Sequence, residues 1–117
     1  MKINFKYGNY EYQKLALRTL NQNLDKKSML INSVMGLNGE SGEAIDIVKK
    51  HLFHGHELDK EHLIKELGDI AWYLAEAAYA LNINLDDVFR INIEKLEKRY
   101  PNGFNQNQSI NRDKKDL

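Results

Sequence analysis

Apolar residues recur at three- and four-residue intervals along most of the chain, a spacing that predicts helices and not strands. Tyr12, Leu15, Ala16, Thr19 and Leu20 give a first helix reaching about Leu24, with Asn9 as N-cap and Glu11 where the dipole favours an anion. A polar break over 21–27 leads to a second helix capped by Ser28. Its predicted core stripe is Leu30, Val34, Leu37, Ser41, Ala44, Ile45, Val48 and Leu52, and His54-Gly55-His56 ends it. Asp59 caps a third helix, about Lys60–Leu81. Its apolar residues leave only a narrow polar stripe of Lys65, Glu66, Asp69, Tyr73 and Glu76. Trp72 extends the apolar surface and reads as a core residue. Asn84 caps a fourth helix with Leu85, Val88, Phe89, Ile93 and Leu96 on one face, and Pro101-Asn102-Gly103 stops it.

These elements predict an all-α fold, a four-helix-bundle-like domain over 1–104, followed by a polar, disordered tail over 105–117. Residues 1–7 are too short to classify. A single proline leaves nearly all of the 117 residues free to be helical. A third helix apolar over most of its circumference, in so short a chain, implies burial against another subunit, so a homo-oligomer (dimer or tetramer) is expected.

Composition narrows the function more than the fold. The net charge is zero, which argues against nucleic acid as a partner. No cysteine is present, so thiolate metal sites are excluded. No apolar run approaches the length of a membrane span, and a cytoplasmic protein without membrane contact is expected.

Against this background four carboxylates stand out: Glu40 and Glu43 on the second helix, Glu66 and Asp69 on the third. Three residues apart, each pair shares a helix face. Spacing alone favours two solvated faces, since such pairs are common in helical proteins. Gly36, Gly39 and Gly42 beside the first pair tip the reading, because each costs a helix about 1 kcal/mol relative to Ala. Four carboxylates brought together repel unless a cation lies between them, and all-oxygen ligation suits Mg²⁺ or Mn²⁺. A ferritin-like di-iron site would need Glu-x-x-His, which is absent. Zinc held by the histidines near the second connection is disfavoured without cysteine or a clean i,i+4 histidine pair. Lys49, Lys50, His54 and His56 either attract phosphate or form a solvated helix end. Asn92, centred on an apolar face with Lys95 and Arg99 beside it, reads as a core amide or an anion contact.

Gly39-Glu40-Ser41-Gly42-Glu43 followed by Glu66-Leu67-Gly68-Asp69 resembles the paired acidic signature of the MazG-like all-α nucleoside triphosphate pyrophosphohydrolases. Asn92–Leu96 and Arg99–Phe104 resemble that family's C-terminal helix, and the likeness extends through Lys49–His56 and the Tyr12–Thr19 opening. One departure is Gly39-Glu40, where fuller versions carry a glutamate doublet. The resemblance implies hydrolysis of a nucleoside triphosphate to monophosphate and pyrophosphate. It implies Glu40, Glu43, Glu66 and Asp69 as Mg²⁺ ligands and catalytic carboxylates, and Asn92, Lys95 and Arg99 as phosphate contacts. Two other functions fit the residues: a non-catalytic nucleotide- or metal-binding regulatory module, and a structural oligomerisation domain.

Overall fold

The computed structural model describes residues 8–116; Met1–Tyr7 and Leu117 lie outside the described residues. As expected, the fold is all-α: α1 (Asn9–Ala16) with a 3₁₀ turn (Leu17–Thr19), α2 (Lys26–Phe53), α3 (Lys60–Ala80), α4 (Leu85–Arg99) and the short α5 (Gln106–Ile110). Two compact units result, one ending at Leu85 and the other beginning at Asp86.

In the first unit α2 and α3 pack antiparallel. Lys26 reaches Tyr79, Asn32 reaches Glu76, Gly36 meets Tyr73, and His51 bonds the turn at His56. The partner steps back along the chain as the first residue advances. Trp72 straps α1 to this pair, its Nε1 donating to Ala16 O and to Thr19 Oγ1, both at 2.9 Å. Leu20, Met29 and Ala80 form a small apolar cluster with Leu17, Leu24, Leu30, Trp72 and Tyr79 packed against it.

Helix ends differ from expectation for identifiable reasons. α1 stops at Ala16, because that carbonyl is taken by the Thr19 hydroxyl and the Trp72 indole while the chain tightens into the 3₁₀ turn. Gly8, extended and without a side-chain cap, precedes it, and Asn9 lies inside the helix. Asp25, not Ser28, caps α2: its carboxylate accepts from Ser28 N at 2.7 Å, an ionised acceptor prevailing over a hydroxyl. Asp59 caps α3 as expected. Asn82, in the left-handed region at φ 58°, turns the chain after it.

The larger correction concerns faces. Three members of the α3 polar stripe, Glu66, Tyr73 and Glu76, meet α2: Glu76 is 1 % exposed and accepts two bonds from Asn32 Nδ2, and Glu66 is 6 % exposed. From α2, Met29 and Ser33 are buried, whereas Val34, Ile45 and Leu52 of the expected core stripe are exposed, together with Ile31, Met35 and Phe53. Polar side chains thus share the interior with Met29, Ala75, Ala78 and Ala80, and much of the apolar surface points outward.

Of the three glycines, only Gly36 gives close clearance. A Cβ there would stand 2.1 Å from the Tyr73 ring, whereas one at Gly39 or Gly42 would meet nothing within 4 Å. Gly36→Ala is therefore expected to lower the melting temperature by displacing Tyr73. Gly39→Ala should raise it by a few degrees, on the order of 1 kcal/mol of helix propensity. Thermal melts of the two variants check the contrast.

In the second unit, Asn92 is exposed on α4, as are Phe89, Ile93 and Leu96, so it is not a core amide. Where the composition predicts a disordered tail, Asn105 caps α5 by accepting from Gln108 N at 3.1 Å. Asp116 holds Arg99 in a bidentate pair at 2.7 and 2.9 Å, the fork geometry that guanidinium offers any carboxylate or phosphate.

Candidate metal centre

Facing turns of α2 and α3 bring Glu40, Glu43 and Glu66 together, each offering a carboxylate oxygen within 4.8 Å of the others. Glu66 is buried, Glu40 half-buried and Glu43 exposed. Glu40 Oε2 and Glu66 Oε2 are shielded from solvent and, as long as both carboxyls are ionised, have no hydrogen-bond partner. Ionised oxygens in that condition are strongly penalised, so the cluster calls for a proton or a cation.

The proton is one solution. The Glu40 carboxyl is pushed up to about 7, first by its hydrogen bond to Glu66, then by burial and by the charges of Glu43 and Asp69. Glu66 becomes the ionised partner, held below its ordinary value chiefly by the same bond, against the opposing effect of burial. The other solution is a hard divalent ion, and the donor set fits one: three carboxylates, all oxygen, with two inner oxygens lacking any other partner.

A pH dependence follows for the metal-free protein. Between 4.5 and about 7 the folded chain keeps a proton on Glu40 that the unfolded chain has released. Stability therefore falls as pH rises through that window. Melts in EDTA across this range should show the decline, and Glu40→Gln should flatten it.

Asp69 is not one of the three mutually close carboxylates. It shares with Glu40 a cavity of about 320 Å³ lined also by Thr19, Trp72 and Tyr73. On the other side, a cavity of about 530 Å³ is bordered by Glu43, Glu66, Asp46, Lys50, His56 and His62. Gly39 and Gly42 also line it, so that bare helix backbone faces the open space. Lys50, expected as a phosphate contact, does line this cavity, with Nζ 3.0 Å from Asp46 Oδ2. His54 does not; it caps the exposed end of α2. His56 takes that place instead, because Gly55 at φ 73° turns the chain and His51 Nδ1 donates to the His56 carbonyl at 2.9 Å.

Sequence reasoning missed Asp46, named His56 only as a phosphate attractor or part of a solvated helix end, and set His62 aside with the zinc reading. For His62 the signal was present: it precedes Glu66 by four residues, and its Nε2 lies 2.9 Å from Glu66 Oε1. Asn92, Lys95 and Arg99 recur on α4 at intervals of three and four residues and belong to the second unit, where Arg99 is paired with Asp116.

The model of the MazG nucleotide pyrophosphohydrolase domain matches residues 31–104, more than half of the chain. The chain belongs to the MazG family. The match takes in most of α2 and all of α3 and α4, hence every carboxylate of the cluster. The Gene 37 protein of Mycobacterium phage L5 is a similar protein, 38 % identical over 82 residues that cover 67 % of this chain and 72 % of that one. No solved structure matches. Membership points, at family level, to nucleotide pyrophosphohydrolase chemistry.

Proposed function

We propose that the chain hydrolyses a nucleoside triphosphate, ribo- or deoxyribo-, to the monophosphate and pyrophosphate in a divalent-metal-dependent reaction that serves nucleotide-pool house-cleaning. The observation that carries this reading is the convergence of Glu40, Glu43 and Glu66 with two partnerless inner oxygens, within a family of nucleotide pyrophosphohydrolases. Asp69 completes the metal-binding set by resemblance. When bound, Mg²⁺ or Mn²⁺ supplies neutralising charge to the phosphates and eases deprotonation of water.

The chain's own residues do the rest. The 530 Å³ cavity is of ordinary size for a small-molecule site. Lys50 on its wall offsets phosphate charge opposite the carboxylates, and His56 adds an imidazole that can hydrogen-bond a phosphate oxygen. Water bonds to the α-phosphorus, the bond to the bridging oxygen breaks, and pyrophosphate leaves with the electron pair. The water proton passes to one of the glutamates. Asn92, Lys95 and Arg99 contact phosphate oxygens by resemblance, and Arg99 must exchange Asp116 for that ligand. The reading places the chain in the cytoplasm, where its substrates are; no helix among the described residues is long and apolar enough to cross a membrane.

Hydrolysis in ¹⁸O-labelled water tests the reaction type. The label is expected in the monophosphate; label in pyrophosphate, or release of inorganic phosphate and diphosphate, contradicts it.

The reading includes a homo-oligomer, dimer or tetramer. Ile45 is 68 % and Phe53 77 % exposed on α2, and with Val48 and Leu52 they border an apolar groove of about 430 Å³. Covering each such side chain returns on the order of 1 kcal/mol. Light scattering at micromolar concentration should give a multiple of 13.7 kDa, and a monomeric mass would contradict it.

A further inference from the structure

The two oxygens of Glu66 have different surroundings. Oε1 lies 2.9 Å from His62 Nε2, whereas Oε2 is buried without a partner. An ionised carboxylate oxygen only accepts, so Nε2 is the donor. His62 is itself held in place: its backbone N–H donates to the Asp59 cap at 3.0 Å, and one turn of α3 sets its ring beside Glu66. The imidazole is half exposed at the wall of the 530 Å³ cavity, and the carboxylate it bonds is almost wholly covered.

A histidine–glutamate pair one turn apart on an open helix face adds only marginally to helix stability. Here the acceptor is buried, its carboxylate is one of the three in the cluster, and its second oxygen has no donor. The neighbouring lysines are committed elsewhere, Lys65 to Glu61 at 3.4 Å and Lys50 to Asp46 at 3.0 Å. The hydrogen bond therefore decides which oxygen of Glu66 is occupied and which is left for the cluster.

We infer that His62 is a positioning residue of the metal centre. By occupying Oε1 it fixes the Glu66 carboxylate in the orientation that offers Oε2 to a divalent cation shared with Glu40 and Glu43. The inference rests on the metal-dependent reading above. Groups that orient metal ligands through a hydrogen bond typically change metal affinity when removed.

Mn²⁺ titration of the full chain, followed by the electron paramagnetic resonance of the free ion, tests it. His62→Ala is expected to weaken Mn²⁺ binding by about 10- to 100-fold, with the melting temperature in EDTA little changed. His62→Gln keeps an N–H donor and should restore binding to within a few-fold of the parent. Parent-like affinity in His62→Ala would overturn the inference and leave the metal reading intact. Equal weakness of His62→Gln and His62→Ala would overturn it in favour of the imidazole as a direct ligand. If the parent chain and Glu66→Gln alike show no saturable Mn²⁺ binding, the metal reading falls and this inference with it.

Discussion

Glu43→Gln should abolish pyrophosphate release while leaving helical content intact. Glu43 is the exposed member of the carboxylate group and borders the larger cavity, so removing its charge strands no buried partner. On the proposed function, what is lost is one anionic ligand where charge develops during transfer at the α-phosphorus. A loss of about 3–4 kcal/mol of transition-state stabilisation corresponds to a rate reduction on the order of 100- to 1,000-fold. Circular dichroism should superimpose on the parent. Full turnover in this variant would remove Glu43 from the chemistry and contradict the assignment.

A second large effect is expected from Ile45→Asp. Ile45 is too exposed in the single chain for the substitution to disturb its packing, so the monomer should keep its fold. If the outward face of α2 is covered by another copy, the new carboxylate would be buried in an apolar contact without a partner. Such a burial costs on the order of 3 kcal/mol or more, enough to weaken association at least about 100-fold. The light-scattering mass should drop to 13.7 kDa with helicity retained. An unchanged multimeric mass would place the interface elsewhere.

The two effects trace to one feature of the chain, and that feature explains what its pattern disclosed and what it hid. Helix number and type were legible, because the three- and four-residue apolar spacing admits little else. The carboxylates at 40, 43, 66 and 69 stood out as candidate chemistry, because the glycines beside the first pair serve helix stability poorly and clustered carboxylates repel. Which faces of α2 and α3 meet was not legible. Periodicity identifies an apolar stripe but not what covers it. The stripe holding Val34, Ile45 and Leu52 was expected inside, whereas Ser33, Glu40, Glu66 and Glu76 occupy the contact between the helices. A bundle that buries its carboxylates has polar residues where a simple core would have leucines, and its apolar residues then face outward.

Finer features depended on geometry that no linear pattern carries. The end of α1 is set by an indole more than fifty positions away. The replacement of His54 by His56 at the cavity follows from the left-handed backbone at Gly55. The pairing of Arg99 with Asp116 joins a residue expected to bind phosphate to a segment expected to be disordered. His62 was the exception, a neighbour at helical spacing whose role became visible only once Glu66 was seen to be buried. The family resemblance supplied the substrate class, and the match over residues 31–104 supports it independently of the geometry.

The most direct test of the central claim is pyrophosphate release from a panel of ribo- and deoxyribonucleoside triphosphates, with Mg²⁺ and again with excess EDTA. The account predicts stoichiometric monophosphate and pyrophosphate from at least one nucleotide with Mg²⁺, and none with EDTA. Pyrophosphate release that persists undiminished in EDTA, or nucleotide binding without any release across the panel, would contradict it.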